Sequence, residues 1–131
     1  MSDFTFPKKE KLKSKKLIEQ LFAEGKSVSV FPIKLIYLPV QFIEDTRLKA
    51  GVTAPKKNFK SAVKRNRIKR LMRESYRGNK HLVFNNSEGS FAFLFLYLGR
   101  DMPSQGKVEK TMKEVLKRFL NKNTPDTGIQ N

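Results

Sequence analysis

Apolar residues along this chain switch between two spacings, and the switches mark out its elements. Leu17, Ile18, Leu21 and Phe22 recur three and four apart, with Ser14 placed as an N-cap, so a short helix is predicted over Lys15 to Glu24. Gly25 stands where a left-handed residue would end that helix. From Val28 to Thr53 the chain turns β-branched and aromatic, in Phe31 to Leu38 and again in Lys49 to Thr53, with the polar Glu44-Asp45-Thr46-Arg47 between them as a turn. Two strands are predicted there, or three. Pro32 and Pro39 predict that the first of them is irregular or at an edge, because proline cannot donate to a ladder. Phe91 to Leu98 is apolar on both faces and reads as an interior strand. Beyond Asp101-Met102-Pro103, the residues Val108, Met112, Val115, Leu116, Phe119 and Leu120 return to helical spacing, which predicts a last amphipathic helix over Ser104 to Asn121. The chain divides into a basic N-terminal extension (1–13), one domain (14–121) and a flexible tail (122–131).

One stretch between the strands changes the picture from fold to function. Lys56 to Arg77 holds ten basic residues and one acid, Glu74, a local charge of +9 out of a total of +16. At about 100° per residue, Ile68, Leu71, Met72 and Ser75 fall on one side of a helix over Ala62 to Arg77, while Asn66, Lys69, Arg70, Arg73 and Arg77 fall on the other. Arg67 lies off that cationic stripe, in a place to cap or pair locally. A solubilising surface mixes signs; this front does not. Arginine adds geometry to charge, since its planar fork can hold two phosphate oxygens at once.

Composition narrows the classes. A chain of 131 residues with 38% hydrophobic content fits one domain with one modest core. Twenty-eight Lys and Arg against 12 Asp and Glu call for a polyanionic partner. Zero Cys removes disulfides, thiolate zinc sites and cysteine nucleophiles. Met1 to Lys16 has no apolar run ahead of its lysines, and Phe91 to Leu98 is too short to span a bilayer, so a cytoplasmic protein is expected. His81 is the only histidine and reads as a loop or packing residue, so no histidine-dependent ribonuclease pair can be assembled. The acids are scattered, Glu44-Asp45 being closest, and no protein-borne catalytic or metal site is expected. A DNA-binding reading would need a short helix and turn ahead of Ala62, where the sequence supplies a strand. A membrane surface fits poorly, because no Trp, Phe or Leu accompanies the charges of the front.

The run Ala62-Val63-Lys64-Arg65-Asn66-Arg67-Ile68-Lys69-Arg70-Leu71-Met72-Arg73-Glu74-Ser75-Tyr76-Arg77 closely resembles the Arg-Asn-Arg signature helix of the bacterial ribonuclease P protein subunit. Glu24-Gly25-Lys26-Ser27 is similar to that family's glycine turn after its first helix, and Lys49-Ala50-Gly51-Val52-Thr53-Ala54-Pro55-Lys56-Lys57 to its strand leading into a lysine pair. The resemblance covers Leu12 to Leu120. It implies an α+β fold in the order αβββαβα, a sandwich around a central mixed sheet with a left-handed βαβ crossover, of the kind also seen in a ribosomal protein domain. It implies an accessory to a catalytic RNA that removes the 5′ leader of precursor tRNA with RNA-bound Mg2+ ions. Its partners would be that RNA and precursor tRNA. Carried over by position, Lys56, Lys57, Lys60, Arg65, Asn66, Arg67, Lys69, Arg70, Arg73 and Arg77 form the RNA face. Ile18, Phe22, and Ile36 or Tyr37 fall in a cleft for the single-stranded leader. Family members often carry an aromatic at both helix-one positions; here only Phe22 offers a stacking ring. A plain structural RNA-binding protein is the rival reading, and a leader cleft is what separates the two.

Overall fold

The computed structural model describes residues 8–43 and 46–123. The Glu44-Asp45 turn and most of the predicted tail fall outside them. A 3-10 turn at Lys8–Glu10 leads into α1 (Lys15–Glu24), β1 (Lys26–Val30), β2 (Ile33–Pro39), β3 (Leu48–Thr53), α2 (Ala62–Asn79), α3 (His81–Asn86), β4 (Phe91–Tyr97) and α4 (Gln105–Asn123). The α+β order read from the sequence is present, with α3 added. The four strands form one mixed sheet in the order β1-β2-β4-β3; β1–β2 and β2–β4 are antiparallel, and β3–β4 is parallel through a crossover containing α2 and α3.

Alternation within the strands builds two cores of unequal size. On one face Leu35, Tyr37, Phe91, Phe93 and Phe95 meet Met72 and Tyr76 of α2 and Met112, Leu116 and Phe119 of α4. The Phe119 ring stands edge-on to Tyr37 at 4.8 Å and to Phe93 at 4.9 Å, the offset geometry aromatic pairs favour. On the other face Ile36, Ala92 and Leu94 meet Leu21 of α1 and Leu12. β4 is buried on both faces, as its uninterrupted apolar run requires.

Two expectations need correcting. β2 is an interior strand between β1 and β4, not an irregular or edge strand. Pro32 precedes it and Pro39 is its last residue, so both prolines bracket the ladder and leave its donors between them untouched. Gly25 is extended, with φ −68°, not left-handed. Glycine is needed for space: a Cβ there would lie 2.5 Å from the Leu21 carbonyl oxygen and 2.6 Å from Ile36 Cγ2, where α1 turns straight into β1. After α2, the short α3 and a loop lead into β4. Arg47 organises it by donating to the carbonyls of Gly89, Phe84 and Ser87 at 3.0, 3.1 and 2.7 Å, with its guanidinium 5.5 Å from the Phe84 ring.

Helix ends follow the sequence closely. Ser14 caps α1, its side chain accepting from the Leu17 amide at 3.2 Å, and Ser61 caps α2, accepting from the Lys64 amide at 3.3 Å. α2 continues one half-turn past Arg77, where the buried Asn79 amide donates to the Ser75 carbonyl at 2.8 Å. Residues 8–13 are seated on the domain: Lys11 bridges Ala50 at the open edge of β3, and Leu12 is buried.

Candidate nucleic-acid interface

The back of α2 is made by Ile68, Leu71, Met72, Ser75 and Tyr76, all buried. Burial pushes the Tyr76 phenol far above its ordinary range, and the nearby Glu10 carboxylate adds to the shift. With that side fixed, the opposite side must face outward. Asn66, Arg67, Arg70 and Arg73 are exposed there, and Lys69 and Arg77 are half-exposed at its flanks. Lys56, Lys57 and Lys60 are exposed on the loop that enters the helix. The one acid, Glu74, is held by Arg70 at 3.2 Å; that pair is open to water and contributes little to stability. The front therefore stays strongly positive.

Two arginines exchange the positions the sequence assigns them. Arg65 is half-buried, and its Nη1 donates to the carbonyls of Phe59 and Lys60 at 2.8 and 3.0 Å, pinning the entry loop against α2. Arg67, expected to cap or pair locally, stands exposed on the α4 side of the front and lines a groove of about 450 Å3 with Val63, Asn66, Arg70, Leu71 and Gln105. The helical projection set Arg67 off the front, whereas it was the carry-over by position that put Arg65 on the RNA face; Arg65 sits in the first turn, beside a loop whose bare carbonyls accept from it. No spacing rule carries that information.

At the open edge of β3, a groove of about 250 Å3 is lined by Ile18 of α1, by Leu12, Gly51, Val52 and Leu94, and by Arg73 of α2. Of the four residues predicted for a cleft, Ile18 lines it. Phe22 is 57% exposed on α1, and Ile36 packs beneath that helix. Tyr37 does not belong there. It is 2% exposed on the opposite face, among the rings under α4, because its odd position in β2 turns it away from α1. Of Ile36 and Tyr37, strand alternation puts Ile36 on the α1 face of the sheet and Tyr37 on the other.

A larger cleft of about 670 Å3 lies at the start of α1, lined by Lys9, Lys11, Lys13, Leu17, Phe42 and Lys49 among others, with Lys49 Nζ 5.3 Å from the Phe42 ring. Sequence reading missed it because the lysines before Ser14 were assigned to an extension. A parallel pairing of Lys11 with Ala50 could not be read from spacing. Among the described residues, no group of three or more His, Asp or Glu side chains is gathered that could hold a metal ion.

An α+β domain that presents an arginine-rich helix front, with its only acid already paired, belongs to the class of RNA-binding proteins. Residues 6–120 match the family model described as Ribonuclease P, and the chain belongs to the ribonuclease P protein family. A ribonuclease P protein component from Porphyromonas gingivalis is 34% identical over 131 residues, covering 98% of this chain and 95% of the relative. One from Chlorobaculum tepidum is 32% identical, covering 92% and 86%. The fold is that of the RNase P protein of Staphylococcus aureus (TM-score 0.68, 19% identity, 84% of this chain and 94% of that one). It is also that of Thermotoga maritima (TM-score 0.65, 21% identity, 83% and 96%). The protein is thus a component of ribonuclease P, an endoribonuclease of tRNA processing. No described helix is long and apolar enough to cross a membrane.

Proposed function

We propose that the protein docks on a catalytic RNA through the front of α2 and receives the 5′ leader of precursor tRNA in the groove between α1 and the sheet, while the RNA performs the cleavage. The observation that carries this reading is the front itself: exposed Arg67, Arg70 and Arg73 on a helix whose other side is locked into the core. Five donors in a planar fork make each arginine a two-point grip on phosphate, and a fixed helix places successive grips at regular intervals. In this reading the chain's own groups bind and orient. Mg2+ held by the RNA supplies the hydrolytic chemistry in this reading, and the acting compartment is the cytoplasm.

Reconstitution with a ribonuclease P RNA at low magnesium, scoring precursor tRNA cleavage with and without the protein, is the test. The protein should stimulate cleavage. Its affinity for the RNA should fall with salt with a logarithmic slope on the order of −4 to −5, for about six phosphate contacts. Absence of stimulation, or affinity indifferent to salt, would sink the reading.

A further inference from the structure

Three clefts converge on one side chain that lies outside α2. Lys11 lines the groove beside α1 with Ile18, Leu94 and Arg73. It lines a second groove, about 270 Å3, with Arg70, Arg73, Arg77 and the Arg70-paired Glu74 on the front of α2. It also lines the large cleft beside Phe42. Lys11 and Arg73 are the residues that the first two grooves share.

The position of Lys11 is fixed from both sides. The Leu12 amide donates to the Ala50 carbonyl at 2.9 Å, and the Leu12 side chain is buried against the α1 core. A Cβ on Gly51 would stand 3.3 Å from Leu12 Cβ, so the segment crosses β3 in close contact. One residue before Lys11, Glu10 Oε1 accepts from Lys80 Nζ at 2.7 Å, with each side chain 12% exposed. That pair ties the segment to the residue capping the end of α2. The Lys11 side chain itself remains exposed.

Two RNA backbones lying in grooves with a common wall repel each other, because phosphates closer than a Debye length of roughly 8 to 10 Å are poorly screened. A cation standing in the shared wall attracts both. We propose that Lys11 is that cation, a contact common to the docked RNA and the single-stranded leader, and that the Glu10–Lys80 pair is a positioning clasp that holds it there. This rests on the docking reading above and adds to it a residue outside the signature helix.

The experiment uses the full chain reconstituted with ribonuclease P RNA and measures two things: protein affinity for that RNA, and the binding advantage of precursor tRNA with a long leader over one with a minimal leader. Lys11→Ala should lower both several-fold and flatten each salt dependence by about 0.7 to 1 in logarithmic slope, the share of one phosphate contact. Lys9→Ala, on the same segment but outside the two shared grooves, is the control and should change neither by as much. If Lys11→Ala matches Lys9→Ala, or moves only one of the two quantities, the shared contact is overturned while wild-type binding leaves the docking reading standing. If the wild-type protein itself fails to bind, both fall.

Glu10→Gln tests the clasp. It should reduce the leader advantage in the wild-type background and have no further effect on it in Lys11→Ala, though it lowers thermal stability in both. The reversed pair, Glu10→Lys with Lys80→Glu, should restore the advantage. Equal losses in both backgrounds would show that the pair only supports the fold, and the positioning assignment would be withdrawn.

Discussion

α2 and α4 lie side by side on the same face of the sheet, are nearly equal in length, and are both amphipathic and basic, yet only one has the chemistry of an interface. α2 carries seven cations and one acid over Ala62–Asn79; α4 carries six and two over Gln105–Asn123. The charge difference is small. The difference in kind is large, because five of the seven on α2 are arginines, whereas α4 has a single arginine, Arg118, which donates to the Ser29 carbonyl at 3.2 Å. Lysines interspersed with Glu109 and Glu114 keep a helix solvated; arginines that outnumber a single, already paired acid form a surface that grips phosphate. Net charge alone would not have separated them.

The sharpest way to break this comparison is to remove three cations from each helix. Arg70, Arg73 and Arg77 to Ala should weaken binding to ribonuclease P RNA by about 100-fold, taking roughly 1 kcal/mol for each lost charge-assisted contact. Lys110, Lys113 and Lys117 to Ala should change it by only a few-fold, through the long-range field. Comparable losses in a filter-binding titration would show that the two helices act as one diffuse cationic surface.

A smaller effect isolates arginine from charge. Converting Arg70 and Arg73 to Lys keeps the sum of charges but removes the fork, so affinity should drop about tenfold while the salt slope stays nearly unchanged. If affinity is retained, the front works as a set of point charges, and the distinction drawn from α4 loses its basis.

Arg65 sharpens the comparison from within α2. It loses two hydrogen bonds to loop carbonyls when cut to Ala, so urea unfolding should report a loss of about 1 to 2 kcal/mol, with a smaller effect on RNA affinity than Arg73→Ala. A variant of unchanged stability but strongly reduced affinity would return Arg65 to the binding front.

These arginines also show what was legible in the sequence. Periodicity, with Ser14 as the cap, placed Lys15–Glu24, and the helix over Ala62 to Arg77 starts where it was expected, its Ser61 cap having gone unread. It separated the buried side of α2 from the exposed one. It failed where one residue's role is decided by backbone outside its own element. Arg65 faces the carbonyls of Phe59 and Lys60, Arg47 those of Phe84 and Ser87, and Lys11 the edge of β3. Gly25 belongs with them, since the obstruction that excludes a side chain there includes Ile36 of the next hairpin strand. The choice between Ile36 and Tyr37 needed the sheet's two faces to be assigned, which the apolar run Ile33 to Leu38 leaves open.

The smallest expected effect probes the buried side of α2 through pH. The Tyr76 phenol has a folded pKa raised above the ordinary value of 10, first by burial and then by the Glu10 carboxylate. Below pH 10 the phenol is protonated in both states and costs nothing. Above it the unfolded chain releases a proton that the folded chain retains, so stability falls as pH rises, by at most about 1.4 kcal/mol per pH unit for this one group. Tyr97, raised by burial and by Asp101, adds a loss of the same sign. Tyr76→Phe should therefore flatten the decline measured by urea unfolding between pH 9 and 11 without abolishing it, and Glu10→Gln should flatten it less. An identical decline in Tyr76→Phe would mean that the phenol ionises as readily in the folded protein as outside it. The back of α2 would then be wet, and the rigid mount that gives its arginine front an advantage over the lysines of α4 would be missing.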